Sequence, residues 1–386
     1  MKVIWEEGQE RPIKSWVAEE LEPKCAEQAR NLANLPFAFK SVALMPDAHM
    51  GYGMPIGGVL ACQNVVVPNA VGVDIGCGMT FLSTDTLAAD APVHDIMHDI
   101  TRLIPTGFNH HRIEQEDWSN GSVIPMYSIV EREYESSLFQ VGTLGGGNHF
   151  IEAQVDDVGG LCFMLHSGSR NIGLKVASHY NKLAIELNER WFSSVPKSWE
   201  LAFLPMDTNE GQAYWEEMGL CLQFARANRT HMMSHIEDVL LNYGIGFGRS
   251  FDIHHNYAAL ENHGGYNLVV HRKGAVRARA GEMVIIPGSM GSASYLAKGL
   301  GNPDSYQSCS HGAGRAMGRK AALKAIKMED VIKEMDNSGI ELFKPKKGDV
   351  AEECRQAYKD IDVVIAAESD LVTPQMKLRP LAVIKA

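Results

Sequence analysis

The sequence predicts an α+β fold, and three observations predict it. Segments rich in β-branched residues and punctuated by glycine lie at 41–45, 56–67 and 70–82. Apolar residues recur at helical spacing over 174–190 and 209–242, with Glu, Arg and Lys between them. The two kinds of segment do not alternate as a βαβ array requires. Among the remaining elements, LCFMLH at 161–166 reads as a buried strand running into the turn SGSRNIG. Residues NLVVHRKGAVRARAGEMVIIPGS read as two strands about a Lys-Gly turn, followed by a glycine-rich loop. A helix is expected from Ala316 to Lys327, directly after HGAGR, and LAVIKA forms a closing strand. No repeat, low-complexity tract or Pro/Ser-rich linker interrupts residues 1–386, which favours one continuous unit.

With 386 residues and 45% hydrophobic content, the chain can bury a large core. No apolar run reaches the roughly eighteen residues of a membrane span, and MKVIWEEGQERPIKSW is too charged for a signal-peptide core. A soluble, cytoplasmic protein is expected. Seven cysteines without a C-x-x-C pair form neither a disulfide framework nor a zinc ribbon, so most are expected to be small buried hydrophobes. The 36 basic and 47 acidic residues give a net charge of −11, which excludes coating nucleic acid through overall charge. Any such contact must use a local basic patch. Neither a G-x-x-x-x-G-K-[ST] loop nor a G-x-G-x-x-G turn after a strand is present, so a bound nucleotide would be held some other way.

The chemistry-bearing residues sit in unusual settings. In AVGVDIGCGMTF, Asp74 and Cys77 lie three apart in a glycine-rich turn that ends a strand. Glycines 72, 76 and 78 relieve Cβ crowding, so both side chains can be directed at one point. A carboxylate with a thiolate suits Mn²⁺, Zn²⁺ or Fe²⁺, and a thiolate can bridge two ions. His149 in GTLGGGNHFIE, His166 in LHSGSR and His255 in DIHHNYA are further candidate ligands. Each alone reads more readily as a hydrogen-bonded structural histidine or a surface group than as a ligand; together the motifs read as a two-metal site. In SCSHGAGRAMGRK, His311 precedes Gly312, Gly314 and Arg315 at an expected helix start. Backbone amides there can hold phosphate oxygens, Arg315 can add a forked contact, and an imidazole can attack phosphorus to form a phosphoramidate. A glycine-rich helix entrance with a capping serine is the structural alternative.

The series MPDAHMGYGMPIGG, VGVDIGCGM, GTLGGGNHFIE, HSGSR, HHNY, RKGAVRARAG, IPGSMG, SHGAGR and Lys385 resembles, in order, the motifs of the RtcB RNA ligases. The resemblance runs from Met45 to the C-terminus. It implies a single catalytic domain over 1–386, with mixed and antiparallel sheets, flanking helices and a central dimetal cleft. It implies Asp74, Cys77, His149, His166 and His255 as ligands of two Mn²⁺ ions, Cys77 bridging, and His311 as the residue that takes GMP from GTP. The implied guanosine pocket comprises Asn148, His149, Phe150, Ile151, Glu152, His255, Asn256, Pro287, Gly288, Ser289, Met290, Ser294, His311, Gly312, Ala313, Gly314 and Lys385, with Tyr358 beside the base. Glu152 can accept from guanine N1–H and the exocyclic amine, a pattern adenine lacks. Asp47 is expected to orient the His311 imidazole.

The implied reaction transfers GMP from His311 to an RNA 3′-phosphate, after which a 5′-hydroxyl attacks and expels it; a 2′,3′-cyclic phosphate is opened first. The implied partners are RNA with such broken ends and GTP, with an activating protein factor left open. A dimetal phosphodiesterase or phosphatase, and a silent RNA-end binding protein, are the rival readings. Two departures stand out: Ala386 occupies a position commonly glycine, and the segment 104–140 is short, which bears on RNA-end choice or accessory contacts. His94 and His98, the pair His110–His111, and Lys344, Lys346 and Lys347 read as solvated residues. Arg272, Lys273, Arg277 and Arg279 read as a basic face for RNA phosphates.

Overall fold

The structure is a computed structural model and describes residues 1–344 and 350–385. Two large sheets organise it, and it is α+β as expected. The first runs Lys2–Ile4, Ile13–Ser15, Ala38–His49, Ile56–Cys62, Tyr266–Lys273, Asn256–His263. Its pairings are antiparallel except between Ile13–Ser15 and Ala38–His49. The second runs Phe247–His254, Gly78–Leu87, Gly160–Ser167, Phe150–Val155, Val372–Ile384, Ser294–Gly299, Met283–Ile286, with Glu341–Phe343 parallel beside Val372–Ile384. A short pair, Ala275–Arg277 with Ser308–Ser310, belongs to neither sheet.

The helix Asn209–Asn242 begins where the Thr208 hydroxyl accepts from the Gly211 amide, satisfying a donor that the first turn leaves open. Its early turns bury Tyr214, Cys221 and Phe224 in one apolar core with the helix Arg170–Arg190. Its later turns bury Met232, Ile236 and Leu240 in a second core against the Gly160–Ser167 strand and the helix Val93–Leu103. All seven cysteines are buried and unpaired, as their spacing predicts. His94 and His98 are exposed on one helix face, and His94 pairs with Glu341. His110 is exposed, and His111 is half-buried against the Gly142 carbonyl. Lys344 is half-buried, while Lys346 and Lys347 lie outside the described residues.

Three expectations are corrected. The segment 70–82 is not one strand: Pro68 starts a helical turn over Pro68–Val71, Gly72 ends it at φ +99, and the strand begins only at Gly78. The Asp74–Cys77 turn therefore precedes a strand. The Lys-Gly turn does not close a hairpin either. Tyr266–Lys273 pairs within the first sheet and Ala275–Arg277 with Ser308–Ser310, so Gly274, at φ +61, is a crossing point.

The third concerns the basic face. Arg272 is fully buried and forked on Glu261, 2.7 and 3.0 Å. The Lys273 ammonium donates to the carbonyls of Tyr52 and Asn69, and Arg277 pairs with Glu282. Of the four only Arg279 is exposed. Strand alternation directed these charges inward because the sheet is covered on both faces. Arg272→Ala strands the buried Glu261 carboxylate and should cost about 3–5 kcal/mol of stability, whereas Arg279→Ala should stay within about 0.5 kcal/mol. Thermal unfolding of the two variants side by side checks this, and equal midpoints would contradict the inward placement.

Candidate active site

Sheet order gathers the metal-ligand candidates. Cys77 immediately precedes the strand Gly78–Leu87, His149 precedes Phe150–Val155, His166 is next to last in Gly160–Ser167, and His255 follows Phe247–His254. Gly78 pairs with both His254 and Ser167, and Phe150 pairs with His166. Four adjacent strands thus present four side chains at one end.

Their contacts form a row. The Asp74 Oδ2 lies 3.1 Å from His149 Nε2, which lies 3.5 Å from Cys77 Sγ; that sulfur is 3.2 Å from His166 Nε2, itself 3.3 Å from His255 Nε2. His149 Nδ1 faces the Leu144 carbonyl at 2.9 Å and His166 Nδ1 faces the Asn148 carbonyl at 3.1 Å. A carbonyl only accepts, so both Nδ1 atoms carry hydrogen and, in the neutral ring, both Nε2 lone pairs point into the cluster. Burial, reinforced by the neighbouring histidines, pushes His166 and His255 well below the ordinary imidazole range. Burial, and then the Asp74 charge, pushes the Cys77 thiol up, so a thiolate here needs a cation to balance it. Lone pairs converging without protons between them are what a divalent cation fits. Among the described residues, Cys77, His149 and His166 bring their donor atoms within 4.8 Å of one another.

The glycines around this row leave room for it. A Cβ on Gly168 would lie 2.2 and 2.3 Å from the Asp74 carboxylate oxygens. One on Gly145 would lie 2.9 Å from His149 Nδ1.

Beside the row, His255 and His311 meet edge to face with ring centroids 4.9 Å apart. His311 Nδ1 donates to Asp47 Oδ2 at 2.6 Å, and Asp47 is fully buried. In the neutral tautomer with hydrogen on Nδ1, the lone pair is on the opposite nitrogen, Nε2. Asp47 sits in a slot between two glycines: Cβ atoms on Gly57 and Gly314 would approach its Oδ1 to 2.9 Å and its carbonyl to 2.2 Å. Lys359 donates to the carbonyls of Pro46 and Ala48, on either side of it.

His311 opens on a cavity of about 780 Å³ whose wall includes Asn148, Phe150, Glu152, Pro287, Gly288, Ser289, Met290, Gly312, Ala313, Gly314, Tyr358 and Lys385. Ile151 faces the opposite side of its strand, into the core. The Asn256 amide instead ties the Asp74 carbonyl to the Gly274 N–H, and Ser294 Oγ accepts from the Gly288 N–H beneath the wall. HGAGR does not open a helix: the next helix is Arg319–Ala325, shorter than expected and starting after Gly318. Nor does Arg315 reach out with both arms, since it pairs with Glu353, donates to the Glu352 carbonyl and stacks on Tyr358. Glu353 also accepts from Tyr358 and from Lys385, at 2.8 and 3.2 Å.

Residues 28–386 match the family described as "tRNA-splicing ligase RtcB". The chain belongs to the RtcB family. It is 37% identical to "RNA-splicing ligase RtcB" of Escherichia coli K12 over 97% of both chains. It is 32% identical to "tRNA-splicing ligase RtcB" of Nanoarchaeum equitans, over 100% of this chain and 98% of the relative. With "RNA-splicing ligase RtcB" of Mycobacterium tuberculosis it shares 32% identity, over 93% and 100%.

Sequence reasoning missed a residue that holds this RtcB site together. Arg229, fully buried in the long helix, forks on Asp252 at 2.5 and 2.8 Å and donates to the carbonyls of Gly76 and Ser167, each at 2.9 Å. Those carbonyls belong to the neighbours of Cys77 and His166. Its position could have signalled this, because Arg229 shares a helix face with Ala225, Met232 and Ile236. Lys359 and Gln154, whose amide is hydrogen-bonded to Glu152, were missed too.

Gly168→Ala should displace the Asp74 carboxylate and lower divalent-metal uptake at least tenfold while the protein stays folded. Elemental analysis after metal loading, with circular dichroism alongside, checks it; full metal content in the variant would mean Asp74 is not a ligand.

Proposed function

We propose that this chain is an RNA ligase that joins an RNA 3′-phosphate or 2′,3′-cyclic-phosphate end to a 5′-hydroxyl end, using GTP and manganese and holding GMP on His311. One observation carries the reading: an imidazole held at Nδ1 by a buried carboxylate lines a cavity, within ring contact of the row of candidate metal ligands. The names of the relatives supply the RNA class.

Asp47 holds the Nδ1–H of His311, so the Nε2 lone pair attacks the α-phosphorus of GTP and pyrophosphate departs. Asp47 also offsets positive charge that develops on the ring. Moving GMP from Nε2 to the RNA 3′-phosphate frees the imidazole and leaves an activated end; the 5′-hydroxyl of the second strand then displaces GMP and closes the phosphodiester. Asp74, Cys77, His149, His166 and His255 would hold two Mn²⁺ ions; when bound, these would supply Lewis-acid polarisation and charge neutralisation at the phosphates. Lys385, held by Glu353 on the cavity wall, adds a fixed positive charge, and Tyr358 borders the same space.

Glu152 is the proposed base reader. Its carboxyl is buried, and burial pushes it up to about 8 against the opposing pull of Gln154 and Lys385. Two guanine N–H donors would meet the charged form, so a proton and the base compete for one carboxylate. GTP affinity should therefore weaken as pH falls through about 8, by up to about tenfold per unit. Glu152→Gln should flatten that profile and cut discrimination between GTP and ATP about five- to hundredfold, because the amide presents a donor to a donor. Titrating nucleotide binding against pH in both proteins measures each effect, and identical profiles would remove Glu152 from the role.

Incubation with α-labelled GTP and Mn²⁺, denaturing electrophoresis, and then addition of RNA with defined ends tests the whole reading. His311→Ala should lose all protein-bound label, which in the wild type should be acid-labile and hydroxide-stable. A fully labelled His311→Ala protein would overturn the assignment.

A further inference from the structure

The loop between Asp47 and the strand Ile56–Cys62 carries two large apolar side chains in solvent: Met50 is 43% exposed and Tyr52 is 72% exposed. Both line the His311 cavity. The loop beneath them is tightly held. Gln28 bonds both polar groups of Gly51, at 2.6 and 3.1 Å, and Glu200 accepts from the Gly53 amide. The buried Lys273 ammonium clamps the Tyr52 carbonyl at 2.6 Å. Close packing leaves Gly51 and Gly53 no room for a Cβ, which would lie 2.4 Å from the carbonyl oxygens of Met54 and Glu200 respectively. Yet the Tyr52 ring itself, among the described residues, has no aromatic, cationic or hydrogen-bonding partner. A rigid pedestal under a bare aromatic face is preorganised for a flat partner, since its ordering cost is already met.

We propose that Tyr52, flanked by Met50, is a stacking platform for the nucleobase at the RNA end that reaches His311. The site rests on the ligase reading above. An RNA end entering this cavity is single-stranded, and single strands are held by aromatic faces for their bases together with cations for their phosphates. The same cavity wall supplies exposed Lys320 and, paired with Glu352 at 3.3 Å, exposed Arg319. Stacking reads a face that every base possesses, so the platform positions an end without selecting its sequence.

Two RNAs test it, one with 2-aminopurine as the terminal nucleotide of a 3′-phosphate end and one with it at a 5′-hydroxyl end. Binding to the wild-type protein should quench the fluorescence of at least one, which identifies the end that stacks. Tyr52→Ala should abolish that quench and raise the KM for RNA in sealing about five- to hundredfold, the range of base stacking on aromatic side chains. Tyr52→Trp should restore both. Tyr52→Leu, which keeps apolar bulk without a π face, should behave as the alanine variant and serves if that variant does not fold. Quenching of neither RNA, or an unaltered quench and KM in both Tyr52→Ala and Tyr52→Leu, would overturn the platform. The quench needs no turnover, so it decides the matter even where a wild-type protein that takes no label from GTP has overturned the ligase reading.

Discussion

The arrangement of the site depends on the buried guanidinium of Arg229. Five donors in a planar fork reach one carboxylate, two carbonyls and the His254 Nδ1, something a point-charge ammonium cannot do. The carbonyls belong to Gly76 and Ser167, and the carboxylate to Asp252, three residues before His255. Cys77, His166 and His255 are therefore spaced by one rigid cation behind them. A fully buried arginine is tolerable only because its hydrogen bonds are so completely met.

The same device recurs. Lys359 binds the carbonyls on both sides of Asp47, and Lys273 joins the Tyr52 carbonyl to that of Asn69, at the start of the turn leading to Asp74. Asp47, Cys77, His166 and Tyr52 each have the backbone at or beside them fixed by a buried basic side chain. This draws basic residues inward on a chain whose net charge is already −11. The outward face is thereby left more acidic still, and at the cavity an anionic polymer meets exposed Arg319 and Lys320.

Much of the site was legible in the sequence because its constraints are local. Gly168 of HSGSR marks a place where a Cβ would strike the Asp74 carboxylate, Gly314 of HGAGR one where it would strike the Asp47 carbonyl, and Gly78 of VGVDIGCGM one where it would strike the Ile253 carbonyl, a requirement that leaves a direct trace in composition. What could not be read was direction. RKGAVRARAG alternates as a basic face should, but the sheet has no bare side there, and Arg272 and Lys273 point inward. Val71 and Val73 look like strand residues, yet Val71 ends a helical turn begun at Pro68 and Val73 lies in the bend after Gly72. The roles of Asn256 and Ser294 as braces rather than wall residues depend on which strand neighbours which, and one sequence does not state that order.

The strand Val372–Ile384 has the Phe150–Val155 strand on one side and the Ser294–Gly299 strand on the other. It is the last strand of the second sheet to leave the ribosome and sits in its interior. Until it arrives, the half of the sheet bearing the metal-ligand row and the half bearing Met283–Ile286 share no hydrogen-bonded seam, and each presents a bare edge. A nascent chain must keep those edges apart until this strand is made, so the period of greatest exposure to mispairing ends only as Val372–Ile384 docks.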